Sequence, residues 1–321
     1  HHPPALAISA AVTIWCVLWW VFEPVPIPVT SLLPLAIFQL SGVLSKDAIG
    51  QAYGNPLILL LLGGFILSKA MEKSGAHLRL ALFMVNLFGG KSSKQLILGF
   101  MVTAALMSMW ISNTATTLML LPVALAVIHQ SKDHALATPL MLGIAYAASI
   151  GGVGTPIGTT PNLVFMQVYE EQFNQTVNFT EWMQWGIPVV LCMVPIIWLW
   201  LTRKLTYQGG FEMPVVGQWR TTEKRVMIIF LITAFAWITR QEPFGGWSTW
   251  LNLPTANDAS VALLAVVLMF VTSDGKGKKL LDWETASSIP WGVLILFGGG
   301  ICLAKAFTAS GLSALLASNL S

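Results

Sequence analysis

The chain has 321 residues, of which 55% are apolar and only 10% charged, and its mean hydropathy is +0.71. A soluble domain carries roughly 25% charged residues, so water is not the main solvent of this protein. The formal charge of +3 does not describe a nucleic-acid or acidic-partner surface, because Lys and Arg stand beside hydrophobic runs rather than on one soluble face.

Uncharged apolar runs that approach the roughly 20 residues of a spanning helix predict an all-α, multi-pass membrane protein. The first run, Ala5 to Phe22, stops at Glu23-Pro24, where Glu23 reads as an interfacial or capping residue. Val29 to Val43 and Pro56 to Leu67 follow. A basic segment comes next, with Lys69, Lys73, Arg79, Lys91 and Lys94, and His77 within it reads as interfacial. Leu96 to Ile128 is a longer run; His129, Lys132, Asp133 and His134 after it read as a solvated loop rather than a proton relay. Pro139 to Val168 precedes an acidic loop, Glu170 to Glu181, and Ile187 to Leu201 precedes a second basic segment with Arg203, Lys204, Arg220, Lys224 and Arg225. Val226 to Ile238, Ser260 to Thr272 and Pro290 to Ala304 complete the series, with Lys276, Lys278 and Lys279 between the last two. Trp residues near run ends fit headgroup belts, although Trp110, in mid-run, does not. Cys16, Cys192 and Cys302 lie inside apolar runs with no paired spacing, so buried thiols are expected, not a disulfide framework or metal site.

Loop charge fixes the path. Both basic segments belong in the cytoplasm and the acidic loop outside. If Leu96 to Ile128 crossed the membrane once, the acidic loop would be cytoplasmic and the second basic segment outside. A re-entrant hairpin over residues 96–130, entering and leaving on the cytoplasmic side, puts every segment where its charge belongs. Its length suits two half-helices better than one span.

A repeat gives the architecture. Leu60, Gly63, Gly64, Leu67, Lys69, Ala70, Ser74 and Gly75 recur as Leu296, Gly299, Gly300, Leu303, Lys305, Ala306, Ser310 and Gly311, each shifted by 236 positions. With the hairpin counted, the first copy runs from outside to inside and the second the other way. Inverted halves of this kind build secondary transporters.

Non-helical backbone survives at membrane depth only where it is buried in protein or lines a wet cavity. Two stretches have that character: Ser108 to Thr117, containing Ser112-Asn113-Thr114, and Gly151 to Asn162, containing Gly158-Thr159-Thr160-Pro161. Ser, Thr and Asn oxygens and unwound carbonyls suit a hard cation. Helix N-terminal amides suit an anion. Ser108 and Ser112 share a helix face; Asn113 and Thr114 lie at the bend. Gly158 allows close approach, and Pro156 and Pro161 free upstream carbonyls. No Ser-His or paired-Asp set lies inside an apolar run, so an intramembrane enzyme is not expected.

On Trp20-Val21-Phe22-Glu23-Pro24-Val25-Pro26-Ile27-Pro28-Val29-Thr30, Leu62-Gly63-Gly64-Phe65, Ser112-Asn113-Thr114 and Gly154-Thr155-Pro156-Ile157-Gly158-Thr159-Thr160-Pro161-Asn162, the chain resembles the divalent anion/sodium symporter family. The resemblance implies sodium-coupled symport of a C4-dicarboxylate or citrate by a homodimer in the plasma membrane, without cofactor, through an elevator motion. It also implies that Ser108, Ser112, Asn113 and the Gly158 carbonyl hold one sodium, while Ser112, Asn113, Thr114, Thr159 and Pro161 face the substrate. Sodium-independent exchange, sulfate transport and a passive anion channel are the alternatives. The implied division is 5–95 first-repeat scaffold, 96–130 hairpin, 138–202 broken helix with the next membrane helix, 203–225 connector, and 226–321 second-repeat scaffold. The repeat offset places a second Ser-Asn-Thr at about position 348, so the second sodium site and half of the substrate cage are expected beyond Ser321.

Overall fold

The computed structural model describes residues 3–88, 92–131, 135–206, 211, 217–241 and 244–320. The expected solvated cluster at Lys132, Asp133 and His134 lies outside them. The described residues form helices and no strand beyond an isolated bridge between Ser273 and Lys279.

In chain order the helices begin with α1 (Pro3–Phe22), α2 (Ile27–Thr30), α3 (Leu33–Leu40), α4 (Lys46–Tyr53), α5 (Pro56–Ser74) and α6 (Ala76–Phe88). Then come α7 (Ser93–Ser108), α8 (Asn113–Gln130), α9 (Ala137–Gly151), α10 (Thr160–Phe173) and α11 (Phe179–Thr202). The series ends with α12 (Thr221–Ile238), α13 (Gly246–Trp250), α14 (Asp258–Val271), α15 (Trp283–Ser287), α16 (Trp291–Ser310) and α17 (Leu312–Leu320). Five helical stretches among the described residues are long and apolar enough to cross a membrane: Pro4–Phe22, Lys46–Ser74, Ala137–Gly154, Phe179–Thr202 and Trp291–Ser310. Their outward faces are apolar, as in Leu191, Leu199 and Trp200 on α11, which is how a helix meets lipid rather than water. Cys16 and Cys302 are buried as expected, but Cys192 is exposed on that same face of α11.

The chain divides into two compact units, one of residues 1–62 with 290–321 and one of residues 63–289. In the first unit α16 packs along α1, α3 and α4. Small residues permit this closeness: a Cβ on Gly298 would lie 2.4 Å from the Tyr53 ring and one on Gly299 2.5 Å from the Ser31 carbonyl oxygen. Tyr53 Oη donates to that same oxygen at 3.1 Å. Glu23 ends α1 in the left-handed region, φ +46°, its N–H donating to Trp19 O at 3.0 Å; the helix cannot continue into Pro24.

The repeat appears in the backbone as well as the sequence. Helices α5 and α16 end at Ser74 and Ser310, each followed by a glycine in the left-handed region, Gly75 at φ +77° and Gly311 at φ +80°. Ser74 Oγ donates to Met71 O at 3.0 Å and Ser310 Oγ to Phe307 O at 3.4 Å, the same bond one repeat apart.

Within residues 63–289, α11 serves as a ruler. Trp198 Nε1 donates to Lys94 O (2.8 Å) at the start of α7, and Trp182 Nε1 donates to Val153 O (2.8 Å) just past the end of α9. Both α7 and α9 therefore run antiparallel to α11, and they pack on each other so tightly that a Cβ on Gly151 would lie 2.3 Å from Ala105 O. At one end, Arg79 of the first basic segment donates from Nε to Glu223 Oε2 at 2.6 Å, and Arg220 donates from Nε to Oε1 at 2.7 Å. Glu223 is fully buried, and removing one partner of such a pair costs about 3–5 kcal/mol. This contact brings the two basic segments together. At the opposite end, buried Asp258 accepts from Arg240 Nε (2.6 Å) and from the Phe179 N–H (3.1 Å).

Candidate functional site

The apolar run of residues 96–128 is interrupted within the polar stretch Ser108 to Thr117. Helix α7 stops at Ser108, Met109 to Ser112 form a bend, and α8 starts at Asn113. Ser112 starts it in the usual way, its Oγ accepting from the Ala115 N–H at 3.2 Å. Ser108 is fully buried, and its Oγ donates to Asn113 Oδ1 at 2.5 Å. One turn into α8, the buried Thr116 hydroxyl has no hydrogen-bond partner among the described residues.

The second stretch breaks in a different manner. After Gly151 the chain tightens into a 3-10 turn over Gly152–Gly154, becomes extended at Thr155, and restarts as α10 with Thr160. Two of the carbonyls released by the break are paired by one side chain. Asn162 Nδ2 donates to Gly152 O and to Thr155 O, both at 2.8 Å, and Asn162 is 4% exposed. Each such carbonyl left bare would cost about 1–3 kcal/mol.

The two breaks meet at Gly152. A Cβ there would lie 2.7 Å from Asn113 Oδ1, 3.2 Å from Thr159 Cβ and 3.3 Å from the Gly158 carbonyl oxygen. A Cβ on Gly158 would lie 2.4 Å from Gly152 O. Bond pairing reinforces the junction: Thr155 Oγ1 donates to the Met109 carbonyl across the two breaks. The structure thus gathers Ser108, Asn113, Gly158 and Thr159 in one place. Ser112 is adjacent, but its hydroxyl caps α8. Thr114 and Pro161, also expected at the substrate, are exposed near the first turns of α8 and α10, and among the described residues no side-chain hydrogen bond joins them to the cluster.

Three contributors lie inside the two stretches singled out in the sequence but had no role assigned there. Thr155 and Asn162 have main-chain partners that exist only once the helix breaks. Trp110, out of place in a headgroup belt, stacks on Phe179 at 6.1 Å between centroids and meets Phe230 edge-on at 5.6 Å. It anchors the tip of the bend. Its mid-run position was the available signal.

The assembly contains neutral oxygens, two helix N-termini and no ionisable side chain between Ser108 and Thr114 or between Gly151 and Asn162. Oxygens of this kind suit a hard cation, and helix N-termini suit an anion. An all-helical, multi-pass membrane protein with interrupted helices meeting at depth is of the secondary-transporter class. The profile of the citrate transporter family matches residues 17–321, and the chain belongs to that family. It is 37% identical over 335 aligned residues to the sodium-dependent dicarboxylate transporter SdcS of Staphylococcus aureus strains bovine RF122, MSSA476 and NCTC 8325. The alignment covers 97% of this chain and 64% of those relatives. The chain therefore spans under two thirds of their length.

Proposed function

We propose that the complete protein couples sodium to the movement of a small divalent carboxylate, a C4-dicarboxylate or citrate, across the plasma membrane. The observation that carries this reading is the junction at Gly152, where Asn113, Thr159 and the Gly158 carbonyl converge, with Ser108 bonded to Asn113 and no Lys or Arg in either broken stretch. A dianion bound there must be neutralised by bound cations and helix N-termini, so anion and sodium depend on each other. In this reading Ser108, Ser112, Asn113 and the Gly158 carbonyl hold sodium, and Ser112, Asn113, Thr114, Thr159 and Pro161 face the carboxylate. Sodium would order the bend at Met109 to Ser112, and the empty bend would bind substrate poorly. The relatives' sodium-dependent dicarboxylate transport and the family match support the same substrate class.

The close packing of α7, α9 and α11 supports treating 96–130 and 138–202 as one body, the part that would slide in an elevator motion within a homodimer. The test is uptake of radiolabelled succinate, citrate and sulfate by the full-length protein in proteoliposomes, with and without a sodium gradient. Saturable, sodium-dependent uptake of a carboxylate is expected. Uptake indifferent to sodium would replace symport with exchange, and sulfate preference would replace the substrate.

A further inference from the structure

Away from the junction, the face that carries the basic segments holds a cavity of about 810 Å³ that the transport reading does not use. Its wall is built from three places in the chain. The end of α5 contributes Lys73, the residue before α12 contributes Arg220, and the loop after α14 contributes Lys276, Lys278 and Lys279. That loop is a fixed structure. The Asp274 N–H donates to Lys278 O at 2.8 Å, Asp274 Oδ1 accepts from the N–H groups of Lys276 (2.7 Å) and Lys278 (3.0 Å), and Gly275 and Gly277 take φ of +86° and +90°. Two left-handed glycines within five residues crowd three lysines into a short arc. Thr222 Oγ1, on the first turn of α12, donates to Asp274 O at 3.1 Å and holds the arc against that helix.

Two carboxylates also line the cavity, and both are engaged. Asp282 pairs with Lys73 and accepts from the Thr285 N–H at 2.8 Å. Asp274 is occupied by its own loop. These bonds, the Lys73 contact foremost for Asp282 and the Lys276 N–H foremost for Asp274, hold the pKa of both carboxyls below the ordinary aspartate value, so both stay charged and committed. Lys279 Nζ is tied to Val271 O at 2.6 Å. The Lys278 ammonium has no hydrogen-bond or ion-pair partner among the described residues. The same holds for the Lys276 ammonium, whose residue bonds Asp274 only through its backbone N–H, while Arg220 is taken by Glu223, so two of the five cations are left for a ligand.

The neighbouring residues indicate where the ligand comes from. Trp283 is 68% exposed at the edge of the cavity, Phe270 and Leu280 line it, and α14 ends at Val271. An exposed Trp beside a helix end is a headgroup-level residue, and basic pockets at the cytoplasmic ends of membrane helices bind anionic lipid headgroups. We propose that this cavity binds a phosphate-bearing anion, presented by an anionic phospholipid of the cytoplasmic leaflet, with Lys276 and Lys278 as its principal ligands.

The experiment uses the full-length protein, delipidated in detergent, with thermal stabilisation and native mass spectrometry as readouts. The probes are phosphatidylglycerol, phosphatidylcholine and inorganic phosphate, applied to the parent protein and to the double variant Lys276→Gln/Lys278→Gln. Both lysines are exposed, so the variant should fold. Phosphatidylglycerol should bind and stabilise the parent, phosphatidylcholine should not, and the variant should lose about thirtyfold in affinity, on the order of fivefold per lysine. Millimolar phosphate that fails to compete supports the lipid source. Phosphate that binds and displaces the lipid supports the phosphate site but assigns it to a soluble anion. Equal binding of the two lipids, or a variant that binds phosphatidylglycerol like the parent, overturns the proposal. Transport enters none of these readouts, so the outcome is independent of the substrate assignment.

Discussion

Helices α5 and α16 carry the same pattern and end in the same way, yet the glycine pair in each meets different surroundings. A Cβ on Gly63 would lie 2.5 Å from Ala262 Cβ, and one on Gly64 would lie 3.2 Å from Ile157 Cγ2, in the loop that breaks the site helix. In α16, a Cβ on Gly299 would meet Ser31 O at 2.5 Å, but one on Gly300 would meet nothing within 4 Å. The repeat therefore specifies a smooth helix with a glycine stop. Which side of that helix is used for close approach depends on the neighbour, and the neighbour of Gly64 is the loop of the candidate site.

The comparison can be broken first at that loop. Gly158→Ala places a methyl group 2.4 Å from a backbone oxygen, where no side chain can yield, and uptake by the full-length protein should fall by at least a hundredfold, about 3 kcal/mol at the upper end of overpacking costs. Near-normal uptake would show that the junction is not needed in this form. Gly63→Ala and Gly299→Ala come next. Both meet immovable atoms at the same distance, so each should lower unfolding stability by about 1–3 kcal/mol, and unequal melting shifts would mean that the two copies are not equivalent there. Gly75→Ala and Gly311→Ala should each cost about 1–2 kcal/mol by forcing a Cβ into the left-handed region, with matched effects on thermal unfolding.

The smallest effect is the most discriminating. Gly64→Ala requires Ile157 to give way by a few tenths of an ångström and should lower transport more than stability. Gly300→Ala has open space and should leave stability unchanged or raise it by up to about 1 kcal/mol through helix propensity. If Gly300→Ala proved as harmful to uptake as Gly64→Ala, the assigned difference in surroundings would be wrong.

Much of this is legible in the sequence. Loop charge asks for a hairpin over residues 96–130, and the polar stretch Ser108 to Thr117 marks its middle, where the structure has the bend at Met109 to Ser112. The helix stops at Gly75 and Gly311 follow from the repeated Ser-Gly. The site was only half legible. Ser108, Asn113, Gly158 and Thr159 stand out as polar or small residues in apolar surroundings, but Thr155 and Asn162 are indistinguishable in sequence from other polar residues of the same stretch. Their partners are carbonyls that a continuous helix would have consumed. The Arg240 to Asp258 pair stayed hidden for a related reason: its partners are brought together by the turn between α12 and α14, and no local spacing marks them.

Asn162 has a wider consequence. By donating to both Gly152 O and Thr155 O it acts as a splint across the missing helical turn. The conformational entropy of this stretch of backbone is therefore settled once, at folding. Replacing the splint would leave one side chain's worth of hydrogen bonding missing at two carbonyls and the break free to change its shape.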